Sequence, residues 1–391
     1  MQSSFKIRLE KRLEVPRWLN ASTPPLAMAS ALLVSGIILF LSGKNPIEVF
    51  HRMFQAGFTN RGALSATLNT ATPLLFTGLA ASLAFRMKVW NIGADGQLMI
   101  AAVFAVPVGI ELGEQSLAIS LPAMLIAGMA GGALWAAVPA ILRAYLNTNE
   151  VLTTLMLNYV APLLLAYLVF NSRSYWRDLS SASAQMFPVG KPIAESAFWP
   201  QYGTGIVVPF GLVLGVVVAV LLRVLIRSTR FGFQMRLVAD SPVAGHYSGI
   251  RTKRLFVFVM LLSGAIAGLA GTSQIGDFRH LLEPRTLGVM AYGYTGIAVG
   301  ALARYNPLGV IVSAFIVGGI LNAGYALQGP DLPLGLVGVI QGILMLFVAA
   351  SELTSRYRVV VRRRPTPVHY DPNQSDPGPS ILVPPQNGTA S

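Results

Sequence analysis

The sequence predicts an all-α, polytopic membrane protein of about ten transmembrane helices, and three observations predict it. Charged residues make up 12% of the 391, about half the roughly 25% of a soluble domain. Hydrophobic residues make up 53% and gather into runs near the ~20 residues that cross about 30 Å of hydrocarbon. The 38 glycines and 25 prolines are spread through those runs, as is common in membrane helices and damaging in soluble ones. A large soluble α/β core would need charged surface between its elements, and the sequence does not supply it.

The runs fall at 25–43, 63–85, 93–111, 117–142, 150–170, 204–226, 255–275, 287–303, 307–325 and 334–352. The first follows a basic start (Lys6, Arg8, Lys11, Arg12, Arg17), as a signal peptide would. It is long for the apolar part of one, and no A-x-A site follows in "LFLSGKNP", so it reads as an uncleaved anchor. Next, "NPIEVFHRMFQAGF" (45–58) has the pattern of an amphipathic helix lying on the outer surface. Residues 171–203 are the longest external loop, and 227–254 a basic loop between two spans. The chain thus divides into a cytoplasmic N-terminal segment (1–24), a transmembrane domain (25–352) and a cytoplasmic tail (353–391). The tail is rich in Pro, Ser, Asn and Gly, which predicts disorder.

Charge orients this arrangement. With the N-terminus inside, the cytoplasmic segments hold twenty basic residues: five in 1–20, Arg86 and Lys88, Arg143, six in 227–254, Arg304, and five in 356–364. The external segments hold eight: Lys44, Arg52, Arg61, Arg173, Arg177, Lys191, Arg279 and Arg285. This is the positive-inside bias and places both termini in the cytoplasm. The net charge of +13 is therefore a topological signal and not a nucleic-acid footprint.

Several chemistries are excluded. There is no cysteine, hence no disulfide framework and no thiolate nucleophile or metal site. The histidines His51, His246, His280 and His369 are scattered, without the i, i+4 spacing of a helical metal site. Gly43-Lys44 and Gly190-Lys191 lack both the upstream glycine and the following Ser or Thr of a phosphate-binding loop, so the chain carries no ATP loop of its own.

Polar residues within or beside the runs are few: Asn69, Asp95, Gln97, Asn149, Glu150, Asn158, Gln274, Asn322 and Gln341. An unpaired amide or carboxylate in hydrocarbon costs several kcal/mol, so each faces protein or a wet pathway. The stretch "NIGADGQL" (91–98) is the densest. Its glycines permit a helix break, while Asn91, Asp95 and Gln97 either satisfy the freed backbone or face a substrate path. On that second reading Asp95→Asn would spare abundance and reduce transport. Gly128/Gly132 and Gly264/Gly268 have the four-residue spacing that lets helices approach closely.

Within 227–254, Asp240 or Ser241 is placed to cap a helix, Pro242 suits its first position and Gly249 its end. The resulting helix of about seven residues is too short to be stable alone. Either lipid headgroups or a cytoplasmic partner must hold it. Ala244 and Gly245 lie mid-helix, where small residues would let a partner dock closely.

Four segments resemble the permease subunits of bacterial ATP-binding-cassette (ABC) importers, in the branch serving nucleosides, ribose-type sugars and branched-chain amino acids. "NIGADGQL" is similar to that branch's Asn-Ile-Gly-x-Glu/Asp-Gly-Gln signature, and "NEVLTTLMLNYVA" (149–161) to its Asn-Glu-Val segment, the most specific match. "FGFQMRLVADSPVAGHYSGI" (231–250) resembles the coupling-helix segment, and "GYTGIAVGALARYNPLG" (293–309) the Gly-x-x-x-Ile-Ala-Val-Ala motif. The coupling segment departs from the family at Leu237, Ala239, Gly245 and His246.

The resemblance covers roughly 60–350 and looks most like the longer permease of a nucleoside importer. It implies a type II-like importer architecture and a translocation path touching Asn69, Asn91, Asp95, Gln97, Glu150, Asn158 and Gln274. It further implies that Asp240, Ser241, Pro242, Val243, Ala244, Gly245, His246 and Tyr247 couple to a separate cytoplasmic ATPase. That subunit would hold ATP and Mg, this chain no cofactor. Further partners would be a second, shorter permease (or a second copy of this chain) and an extracellular substrate-binding protein. Sugar and branched-chain amino-acid transport stay open as cargo. An ion-coupled transporter would need carboxylates at mid-span and repeated halves, and neither is legible in the sequence.

Overall fold

A computed structural model describes residues 5–11, 16–113, 115–171, 174–180 and 182–328, and then 338–340, 342–343, 346–347, 350 and 357–363. The chain forms two units, residues 15–355 and a small unit of residues 1–14 with 356–391.

The larger unit is helical. In chain order its helices are α1 (Arg17–Leu41), α2 (Pro46–Phe54), α3 (Ala63–Arg86), α4 (Ala94–Glu111), α5 (Leu117–Leu146), α6 (Glu150–Ala166) and α7 (Ala182–Met186). There follow α8 (Phe210–Ser228), α9 (Arg230–Asp240), α10 (Pro242–Tyr247), α11 (Thr252–Ser273), α12 (Pro284–Val289), α13 (Tyr292–Leu302) and α14 (Pro307–Ala326). Among the described residues seven helices are long and apolar enough to cross a membrane: α3, α4, α5, α6 with its extension to Asn171, α8, α11 with its extension to Arg279, and α14. The first expected span appears within α1, whose apolar part is Pro25–Leu41. The tenth, 334–352, lies largely outside the described residues.

One expected span is corrected. The run 287–303 is not a single helix: α12 ends at Val289, and α13 begins at Tyr292 after Ala291, which holds a left-handed φ of 46°. Only the eleven residues of α13 are continuous, about 16 Å at 1.5 Å per residue, or half the hydrocarbon thickness. The glycines and the aromatic pair in "AYGYTG" make this run a poorer helix than its hydrophobicity alone suggests.

The core is built on α3, α4 and α11, the most enclosed of the long helices, with α6 and α8 the most exposed. The small-residue pairs mark where α5 crosses α11. A Cβ on Gly132 would lie 2.3 Å from the Gly264 carbonyl oxygen, and one on Gly268 2.4 Å from that of Gly128. The two backbones touch, which is how helices associate where lipid supplies no hydrophobic drive between them. Gly264→Val is accordingly expected to abolish folded protein in the membrane; normal abundance by immunoblot, with a wild-type melting temperature in detergent, would contradict this crossing.

At one end of the bundle, the described residues 174–180 and 182–203 fold back as a cap. The Trp176 indole donates to the Val103 carbonyl at 2.9 Å, Ile193 N–H to His280 at 2.8 Å and Trp199 N–H to Gly276 at 3.0 Å. A hairpin of β2 (Gln201–Tyr202) and β3 (Val208–Pro209) leads into α8, which therefore starts later than the expected 204. The surface helix expected at 45–58 is α2, capped by the Asn45 side chain accepting from Ile47 N–H at 3.1 Å, followed by a wide π-helical turn at Gln55–Thr59.

At the opposite end the basic residues assigned to the cytoplasmic set meet one another's segments. Arg86 Nε donates to the Tyr305 carbonyl at 2.8 Å, Arg304 to the Thr23 hydroxyl, and Lys88 to the Ala239 carbonyl.

The small unit is one antiparallel ladder of β1 (Phe5–Lys11) and β4 (Tyr357–Arg363), in register Ile7 with Val361 and Leu9 with Val359. Part of the segment expected to be disordered, 353–391, is thus a strand. The β-branched run Val359–Val361 favours that pairing.

Candidate functional site

The polar stretch 91–97 lies where two helix breaks meet. The first is the turn between α3 and α4; the second separates α12 from α13. Asn91, Asp95 and Gln97 are all buried, at 2%, 4% and 1% exposure. In hydrocarbon each orphaned backbone group at such breaks costs several kcal/mol, so the accounting must close within the protein.

It closes through a few side chains. Asn91 and Gln97 form a reciprocal amide pair, with the Asn91 amide donating to Gln97 Oε1 at 3.1 Å and the Gln97 amide to Asn91 Oδ1 at 2.9 Å. The same Asn91 oxygen accepts from Gly93 N–H at 3.1 Å, which fixes the turn, and its amide also reaches the Ser263 hydroxyl of α11 at 2.9 Å. Ser263 in turn donates to the Ala80 carbonyl of α3 at 2.9 Å. Asn158 of α6 accepts from Gly96 N–H at 2.9 Å and donates to the Ile92 carbonyl at 2.8 Å and the Tyr294 hydroxyl at 3.1 Å.

Asp95 closes the second break. Its carboxylate accepts from Gly293 N–H at 2.7 Å and from Tyr294 N–H at 3.2 Å, capping the start of α13. Negative charge at a helix N-terminus is favourable, and here the first residues of the helix, Tyr292 and Gly293, are buried. Thr77 of α3 donates to the Tyr292 carbonyl at 3.0 Å and completes the clasp. Gly293 is required by close approach: a Cβ there would sit 2.2 Å from the Asp95 backbone nitrogen.

The remaining sequence-derived residues divide. Glu150 begins α6 and pairs with Arg143 Nε at 3.1 Å. It lines a cavity of about 480 Å³ together with Lys88, Val238, Ala239 and Pro242, so it belongs with the 240–247 segment. A thread joins it to the break: the Thr154 hydroxyl donates to the Glu150 carbonyl at 2.7 Å and accepts from Ile92 N–H at 3.4 Å. Asn69 is half-buried on α3, and its Oδ1 has no hydrogen-bond partner among the described residues. Gln274 is buried at the end of α11 and accepts from Arg279 Nε at 3.4 Å.

Sequence reading missed Asp277. It is buried in the π-helical turn Gln274–Arg279; one carboxylate oxygen accepts from Gly211 N–H at 3.0 Å at the start of α8, and the other has no hydrogen-bond partner among the described residues. Its signal was an acid closing the apolar run "GLAGTSQIGD". Ser263, Thr77 and Tyr294 were missed because single hydroxyls in apolar runs carry no pattern.

The 240–247 segment forms the expected short helix, α10. Ser241 is its cap, accepting from Ala244 N–H at 3.2 Å; Pro242 is its first residue, and Gly249 follows it at φ 75°. Asp240 ends α9. One expectation is corrected: Gly245 does not offer its small size to a partner. It is buried against this chain's own α9, where a Cβ would lie 2.8 Å from Val238 Cγ2. The outward face carries Val243, His246 and Tyr247, the last 87% exposed.

The family of branched-chain amino acid transport system permease components matches residues 63–349. The glucose ABC transporter permease protein TsgB13 of Haloferax volcanii is 31% identical over 91% of this chain and 94% of its own length. The guanosine ABC transporter permease protein NupP of Bacillus subtilis is 30% identical over 86% and 95%. The nucleoside ABC transporter permease protein NupB of Lactococcus lactis is 24% identical over 84% and 90%. The helices that cross, the breaks that interlock and the capped helix all fall inside the matched span, and the chain belongs to this family, as a multi-pass membrane permease of an ABC importer.

Proposed function

We propose that this chain forms part of a nucleoside translocation path in a bacterial cell membrane and is driven by a separate cytoplasmic ATPase seated on α10. The transmembrane domain would be 25–352, with the segments 1–24 and 353–391, and so both termini, on the ATPase side. A second permease subunit would complete the channel, and an external binding protein would deliver the cargo. The observation that carries the reading is Lys88. It donates to the Ala239 carbonyl beside α10 and stands three residues before Asn91. A push on α10 therefore reaches the clasp at Asp95 through one short turn, and reaches it again through Glu150 and Thr154. Asn91, Asp95, Gln97 and Asn158 would hold the hinge of the path, with Asn69 and Gln274 nearer the cargo.

Two measurements test this. Cysteines introduced at Ser183 and Ser228 should label from opposite sides of the membrane; labelling of both from outside would overturn the topology. For cargo, a strain lacking this chain should lose uptake of labelled guanosine and keep that of labelled glucose. The reverse outcome would establish the sugar reading, which the similarity to a glucose permease supports.

A further inference from the structure

We propose that the groove beside α10, at the start of α11, binds the phosphate headgroup of an anionic phospholipid in the adjoining leaflet. Two cavities, of about 480 and 560 Å³, meet there and share Thr252 and Lys253. Lys88 and Arg143 line the first, and Arg251, Arg254 and His246 the second. The one carboxylate among these residues, Glu150, is already paired with Arg143. Lys88 is bound to the Ala239 carbonyl. Arg251, Lys253 and Arg254 have no ion-pair partner among the described residues.

Two further features fit a phosphate. The N-cap residue of α11, Arg251, makes no side-chain capping bond among the described residues, so the first N–H groups of α11 and the positive end of its dipole add to the cationic wall. Lys253 Nζ stands 5.7 Å over the Tyr145 ring, a cation–π contact that holds the ammonium beside a residue lining the same groove. The surroundings place this anion site at headgroup depth. Tyr145 and Leu146, at the end of α5, and Leu152, at the start of α6, are 59%, 67% and 56% exposed. A tyrosine beside exposed leucines at the ends of two spans is the composition of a membrane interface. A soluble partner would meet that apolar border as a penalty, whereas acyl chains would cover it. Basic pockets between helix ends on one membrane face are suited to anionic headgroups. Because His246 and Gly249 of the coupling segment line the same groove, an occupied site would steady α10.

The test uses the full-length permease, purified in neutral detergent, and three probes: short-chain phosphatidylglycerol, phosphatidylcholine of the same chain length, and inorganic phosphate. Binding is read by native mass spectrometry and by the rise in melting temperature. Phosphatidylglycerol should bind in preference to phosphatidylcholine, with an affinity that falls as salt is raised. K253Q/R254Q should weaken it about thirtyfold, at about 1 kcal/mol for each cation removed near the surface, while K253R/R254K retains it. Salt-insensitive or headgroup-indifferent binding by the wild-type protein would overturn the proposal without any variant. So would unchanged phosphatidylglycerol binding by K253Q/R254Q. Saturation by inorganic phosphate with no preference for the lipid would make this a free-phosphate site. Loss of ATPase co-purification by K253Q/R254Q, with its phosphatidylglycerol binding unchanged, would make the groove part of the ATPase surface; either result removes the lipid from this groove.

Discussion

Asp95→Ala is expected to lower the stability of the permease by about 2–6 kcal/mol, because two buried backbone donors lose their acceptor at about 1–3 kcal/mol each. Those donors are Gly293 and Tyr294 N–H at the start of α13, a helix end enclosed by protein where water cannot substitute. Asp95→Asn should fall between the wild type and Asp95→Ala. Its oxygen keeps one bond, but its amide nitrogen turns a donor toward a donor. Gly293→Ala reaches the same clasp from the other side, since its Cβ would meet the Asp95 nitrogen at 2.2 Å. Each variant should lower the melting temperature in detergent and reduce uptake together. Uptake lost by Asp95→Asn with a wild-type melt would instead put the carboxylate in contact with cargo, as the sequence alone allowed.

The clasp also marks how far the sequence could be read. The spans at 63–85, 93–111, 117–142 and 307–325 were legible because a membrane helix must be continuously apolar for about 20 residues. That same criterion mistook 287–303 for one helix. The break at Ala291 is fixed by partners 196 or more residues away, Asp95 and Thr77, and no local pattern encodes them. For 91–97 the composition announced a break, but which groups would satisfy it depended on α6, α11 and α13. Asp277 was hidden differently: it caps α8 from the end of α11, and an acid at the end of an apolar run reads as a residue emerging into water. The start of α10 at Pro242 and its end before Gly249 were legible, with the cap narrowed to Asp240 or Ser241, because Ser, Pro and Gly act there through local geometry. Which face of α10 turns outward was not, since it depends on Val238 of α9.

That face yields the second large effect. Tyr247→Ala and Val243→Asp are expected to leave insertion and melting unchanged and to weaken ATPase binding, Tyr247→Ala by about 2 kcal/mol, or roughly thirtyfold, as befits a central aromatic anchor. Tyr247 is 87% exposed and Val243 65%, so neither substitution disturbs packing within this chain. A helix of six residues is marginal in water by itself, and its internal supports are the Ser241 cap and the Gly245–Val238 contact. Gly245→Glu should therefore behave differently, forcing α10 off α9 and lowering stability before any partner is met. The separating measurement is co-purification of the solubilised permease with its ATPase, run beside a thermal melt. Weakened capture with an intact melt for Tyr247→Ala, and a lowered melt for Gly245→Glu, would place the ATPase on the outward face. Full capture and full uptake by both Tyr247→Ala and Val243→Asp would put the docking site elsewhere and leave α10 as a connector lying on the membrane surface.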